Sequence, residues 1–173
     1  MRCQPALIGM DPSLKNWGIA RFSKQGIIED LRVITTLPEK ATRKSLDDFR
    51  RFLYLSQSLQ DYLIPGDTLY VEFPIGSQSA RAMVSYSAVL AILAMLQTQG
   101  YPIIALTPKE VKMAALGDPE ASKEAMIEWA TTKFPEAPWP MKKQNGVPAL
   151  ITGKAEHMAD AIAAAYAGIR KSH

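Results

Sequence analysis

Cysteine is nearly absent from this sequence of 173 residues. Cys3 is the only one, which excludes an internal disulfide framework and any cysteine-based metal cluster. Long apolar runs are missing as well. They break within a dozen or so residues, as around 87–94, so no stretch is expected to be long enough to cross a bilayer. The first residues lead straight into an apolar strand pattern, with no basic region and cleavage site, and the expectation is a chain that is not secreted and works in the cytoplasm, away from membranes. No internal repeat, low-complexity tract or linker divides it, which points to a single domain spanning 1–173. A hydrophobic share of 47% and a charged share of 21% are enough to bury a sizeable core.

What the chain does have is a modest basic excess. The net charge of +3 leans toward polyanionic partners. Many enzymes share that balance, so the placement of the charge is more telling. Basic residues gather at Arg43-Lys44, Arg50-Arg51, Lys109 to Lys123, Lys142-Lys143 and Arg170-Lys171. Any one of these clusters alone reads first as a solvated face.

The hydrophobic pattern sets out the elements. Ala6 to Met10 is a short apolar run ending in Asp-Pro, the pattern of a buried strand followed by a turn. Gly18 to Phe22 and Ile27 to Ile34, separated by Lys24-Gln25-Gly26, carry a hairpin signal. Helical spacing runs from Ser45 to Leu63, and Pro65-Gly66-Asp67 turns the chain into the strand Thr68 to Glu72. Ser79 to Gln99 is a helix so rich in Ala, Met and Leu that burial on more than one side is expected, with Gly100 as its stop. Tyr101 to Leu106 is a further strand. Thr107-Pro108-Lys109-Glu110 then opens a helix with a capping threonine, proline at the first position and glutamate three residues on. Another helix spans Ser122 to Lys133, and Lys154 to Lys171 closes the chain as an alanine-rich helix. The four prolines between Pro135 and Pro148 predict a loop there. Three strands, then alternating helices and strands, predict an α/β fold: a mixed sheet with helices on both faces.

Acidic groups fall at the ends of these elements. Asp11 ends the first strand and Glu72 the fourth, while His157 and Asp160 lie three apart on one face of the last helix. Carboxylates at neighbouring strand ends, facing a helix, are able to converge on divalent ions, and paired hard-ligand sites suit phosphodiester hydrolysis. A histidine among oxygen ligands also tolerates manganese. Each residue has a plainer reading: Asp11 before Pro12 is turn chemistry, Glu72 a solvent-facing strand end, His157 part of an exposed stripe. The combination favours a site. Asp160 sits between Ala159 and Ala161, close to the sheet, and a carboxylate there needs a metal, a partner or a proton.

Taken in order, these residues resemble the RuvC family of Holliday junction resolvases, within the ribonuclease-H-like superfamily. Gly9-Met10-Asp11-Pro12-Ser13-Leu14-Lys15-Asn16-Trp17-Gly18 is similar to that family's opening strand and turn, and Val71-Glu72 to its second carboxylate position. Val111-Lys112, with Lys123 eleven residues further on, reproduces the spacing of two family lysines. His157-Met158-Ala159-Asp160-Ala161-Ile162-Ala163 resembles the closing helix motif, where some members have His at the first ligand position. The likeness runs from Leu7 to Ala167.

The resemblance implies a ribonuclease-H-like five-stranded sheet of three antiparallel and then parallel strands. It implies a homodimer that resolves four-way junctions and related branched DNA by paired symmetrical nicks, leaving 5′-phosphate and 3′-hydroxyl ends. Asp11, Glu72, His157 and Asp160 would hold two Mg2+ or Mn2+ ions, with Lys112 and Lys123 beside the scissile phosphate. Lys15, Asn16, Lys142 and Lys143 are candidate contacts to the nucleic acid, and Trp139 either stacks on bases or packs its loop down. The apolar helix 79–99 is the candidate dimer interface. Two departures stand out. The family's aromatic wedge lies a few residues past the glutamate, whereas Phe73 here is adjacent to Glu72 and Ile75 holds the wedge-like spacing. The segment 135–148 also looks longer than the family norm. A flap or structured-RNA nuclease keeps the same site with another substrate. A non-catalytic DNA-binding module predicts an eroded acidic set, and a small ATP-binding protein predicts glycine-rich phosphate loops that this sequence does not show.

Overall fold

A computed structural model describes residues 4–76 and 78–171; Cys3 and Ser77 lie outside them. The strands are β1 (Leu7–Asp11), β2 (Asn16–Phe22), β3 (Ile28–Thr35), β4 (Thr68–Glu72) and β5 (Ile103–Leu106). They form one sheet in the order β3-β2-β1-β4-β5. The pairs β1–β2 and β2–β3 are antiparallel, while β1–β4 and β4–β5 are parallel. This is the mixed sheet expected from the sequence, and its central strand is β1. The helices are α1 (Lys44–Tyr62), α2 (Ala80–Thr98), α3 (Pro108–Leu116), α4 (Lys123–Lys133) and α5 (Thr152–Lys171).

Strand alternation decides which side chains meet which layer. Ile8, Met10, Ile19, Leu69 and Val71 point to one face, where they bury against Leu55 and Leu59 of α1 and Ile92, Leu93 and Leu96 of α2. Ala20, Phe22, Tyr70 and Leu106 point to the other face, onto α5 with α3 and α4 outside it. Asp11 and Glu72 each follow a residue of the first face, so both turn toward α5.

That helix lies unusually close to the sheet, because small residues meet on both sides of the contact. Ala159, Ala161, Ala163, Ala164 and Ala165 are fully buried. A methyl added at Gly9 would overlap the Ala161 carbonyl oxygen and crowd the Ala165 amide, and one at Gly18 would overlap the His157 carbonyl. Backbone atoms cannot swing aside as side-chain ends do. Gly9→Ala is therefore expected to destabilise the fold by about 3 kcal/mol, near the upper range of overpacking costs. Chemical denaturation would show this as a lower midpoint with an unchanged slope.

Asp67, just before β4, is fully buried and fully used. It accepts from Arg21 at 3.0 and 3.2 Å, from the Ala6 amide at 2.8 Å and from the Ile64 amide at 3.0 Å. The α3 capping box is present as expected, with Gly117 in the left-handed region (φ 72°) ending the helix.

Three expectations need correction. The segment 135–148 is not all loop: Met141–Gln144 (β6) and Val147–Leu150 (β7) form a separate antiparallel hairpin. Helix α2 is not buried on more than one side, since only Val89, Ile92, Leu93 and Leu96 are buried. Its 19 residues are also long and apolar enough, by length and composition, to span a bilayer, contrary to the reading of broken apolar runs. Its four buried residues belong to the core beneath the sheet.

Candidate active site

Parallel pairing of β1 and β4 sets Asp11 and Glu72 side by side at the carboxyl ends of neighbouring strands. The close seat of α5 brings His157 and Asp160 over them. His157 Nδ1 lies 2.5 Å from Asp11 Oδ2, an interaction linking residues 146 apart in sequence. Both side chains are about one-fifth exposed, so solvent still reaches the pair.

Electrostatics show how tightly the carboxyls are gathered. Burial, then the charges of Asp11 and Asp160, pushes the Glu72 carboxyl up to about 8, and Lys112 offsets part of this. Burial also pushes Asp160 up to about 7, with Asp11 and Glu156 adding to the rise and His157 and Lys112 opposing it. The hydrogen bond to Asp11 holds the His157 imidazole above its ordinary range, against the effect of burial. The nearby cationic groups offset only part of the cost of holding these acids together.

The predicted site residues divide into three groups. Asp11, Glu72, His157 and Asp160 come together, and Lys112 of α3 faces Glu72 and Asp160 closely enough to ease both. Lys123, at the start of α4 behind its Ser122 cap, bonds Glu156 at 2.5 Å rather than standing free. Lys15 is exposed in the turn after β1, while Asn16 serves that turn: its amide donates to Ser13 Oγ at 3.0 Å, and its side-chain oxygen accepts from Thr35 at 3.1 Å. Lys142 and Lys143 are exposed on β6. Trp139 packs down, burying partly against the α4–α5 layer and donating from Nε1 to the Phe134 carbonyl at 2.9 Å.

Glu156 was not foreseen in this role. It immediately precedes His157, and its spacing of four from Asp160 on α5 was the available signal. Among the described residues, no group of three or more His, Cys, Asp or Glu side chains is set to hold a metal ion as it stands. The donor chemistry nevertheless fits a hard divalent cation: three carboxyls and one imidazole, two of the carboxyls kept from ionising by burial and by their neighbours.

No protein-family model matches the sequence, and no curated protein matches it. Solved structures do. The chain is similar to "Thermus thermophilus RuvC structure" with 19% identity and a TM-score of 0.65, covering 96% of this chain and 95% of that one. It is equally similar to "T. thermophilus RuvC in complex with Holliday junction substrate", with 18% identity, a TM-score of 0.65, and 98% and 95% coverage. Over nearly its whole length, the chain has the ribonuclease-H-like fold of RuvC.

Proposed function

We propose that this chain is a metal-dependent endonuclease of the RuvC type that cuts four-way junctions and related branched DNA. One observation carries the reading: Asp11, Glu72 and Asp160, distant in sequence, lie close enough to act on one another's charge beside His157, and two of them are pushed up to about 8 and about 7. Groups so disfavoured as anions gain stability from a cation.

In this reading Asp11, Glu72, His157 and Asp160 hold Mg2+ or Mn2+, which supplies Lewis acidity toward the phosphodiester. His157 orients Asp11 through their 2.5 Å contact. Lys112, close enough to act on Glu72 and Asp160, offsets negative charge that gathers on the scissile phosphate. Lys123 exchanges its partner: its side chain is 70% exposed in the pair with Glu156, open for a phosphate to replace the carboxylate. The residues 1–173 act as one nuclease domain.

A homodimer suits paired nicks, and the surface offers a face for it. Leu46, Phe49 and Leu53, spaced along one side of α1, are 57%, 62% and 45% exposed, and Val84 of α2 is 43% exposed. This moves the dimer candidate from α2 alone to the α1–α2 face.

The test is incubation of the wild-type chain with a synthetic four-way junction and Mg2+ or Mn2+, beside a flap, a plain duplex and an RNA hairpin. Symmetrical nicks in opposing strands of the junction are expected. Cutting confined to the flap or the RNA would move the substrate class, and no cutting of any of the four would end the nuclease reading.

A further inference from the structure

We propose that the β6–β7 hairpin is a docking arm that enters a groove of a DNA duplex beside the pocket. The inference rests on the nucleic-acid reading above and assigns it a surface outside the acidic cluster.

The hairpin is a built element without a place in the core. Every residue from Met141 to Pro148 is exposed, and the two strands pack chiefly on each other. A lone two-stranded hairpin is marginally stable in water, so such an element is suited to a partner that covers it. Its tip is well formed: Asn145 (φ 51°) and Gly146 (φ 80°) both take the left-handed region that a two-residue hairpin turn demands. Its base is anchored. The Ile151 amide donates to the Pro140 carbonyl at 2.8 Å, and Trp139 is bonded to Phe134 just before it.

Charge selects the partner. Between Ala137 and Ala155 there is no Asp or Glu, while Lys142, Lys143 and Lys154 are all there. The register places Lys142 and Lys143 on opposite faces of the ribbon, so each face carries a cation. Gln144 and Asn145 continue this polar tip with side-chain amides. A two-stranded ribbon is narrow enough for the major groove of duplex DNA, where lysines on both faces reach the flanking phosphates. Position supports the same partner. The hairpin feeds directly into α5, and His157 lies five residues beyond Thr152, about 7.5 Å along the helix axis. A duplex held by the arm thus runs close to the pocket.

The experiment measures binding of the whole chain to a four-way junction, to a plain duplex and to an RNA hairpin in EDTA, across a salt series. Lys142→Ala/Lys143→Ala is compared with wild type and with Lys142→Arg/Lys143→Arg. The alanine variant is expected to bind both DNAs about tenfold more weakly at low salt, and its salt slope to shrink by about 2, one phosphate contact per lysine. The arginine variant should bind as wild type does. Junction cutting below saturation should fall with the lost affinity in the alanine variant and hold in the arginine variant. Wild-type affinity and slope in the alanine variant, alongside normal junction cutting, would overturn the arm while leaving the nuclease reading in place. A loss confined to an RNA hairpin overturns it too, and a wild-type chain that neither binds nor cuts nucleic acid removes both.

Discussion

Replacing Asp160 with asparagine is expected to abolish junction cutting and, in the absence of divalent ions, to make the protein more stable. The two effects share a cause. Asp160 is half-buried beside Asp11 and Glu156, and its carboxyl is pushed up to about 7. A raised carboxyl gives a definite sign. Below about pH 4 it is protonated in the folded and unfolded chain alike, and there is no penalty. As pH rises the unfolded chain ionises first, so stability falls until the pH passes about 7, where the full penalty is present. Asparagine removes it. Allowing for the charge shared among these neighbours, the gain at pH 8 is on the order of 2 kcal/mol, or about 4–8 °C in Tm for a domain of this size. Cutting should fall by about a thousandfold or more, because an uncharged amide is a poor ligand for the cation the reaction needs. Thermal melts at pH 4 and pH 8, beside a junction assay, separate the outcomes. An Asp160→Asn protein that still cuts, or that is less stable at pH 8, would remove Asp160 from the pocket as described.

Mg2+ or Mn2+ should raise the Tm of the wild-type chain, by more at pH 8 than at pH 5. At pH 5 Glu72 and Asp160, pushed up to about 8 and about 7, still hold their protons, and an ion must displace them to bind. At pH 8 Asp160 is largely ionised and Glu72 about half so, and the repulsion that an ion relieves is close to its maximum. A cation at about a hundred times its Kd adds about 2.7 kcal/mol, which is about 5–10 °C here. Glu72→Gln should remove most of that rise. Scanning fluorimetry with and without EDTA decides it: equal shifts at the two pH values, or a full shift in Glu72→Gln, would place the ions elsewhere.

Much of this was legible in the sequence because local chemistry and periodicity agree. The apolar runs 6–10 and 68–71 already put Asp11 and Glu72 at strand ends, and Thr107 to Glu110 carries its capping box in full. The β6–β7 hairpin was missed although Asn145-Gly146 is a strong turn signal. Four prolines around it suggested a loop, yet Pro148 sits in a ribbon of only two strands, where both have a free edge and proline is tolerated. Helix α2 was misjudged for a different reason. Its apolar residues lie all round, so composition alone does not reveal which side meets the sheet. The Lys123–Glu156 pair and the 2.5 Å approach of His157 to Asp11 are tertiary facts. No spacing along the chain encodes them.

The bare α-carbons of Gly9 and Gly18 have a consequence for how the pocket tolerates change. Where β1 and β2 meet α5, main chain rests on main chain, so the gap between the strand-end carboxyls and the helix is fixed by the skeleton and not by any rotamer. The four side chains gathered there are thereby free to be exchanged, aspartate for histidine or the reverse, without resetting the width they must span. A single methyl at either glycine would widen it for all of them at once.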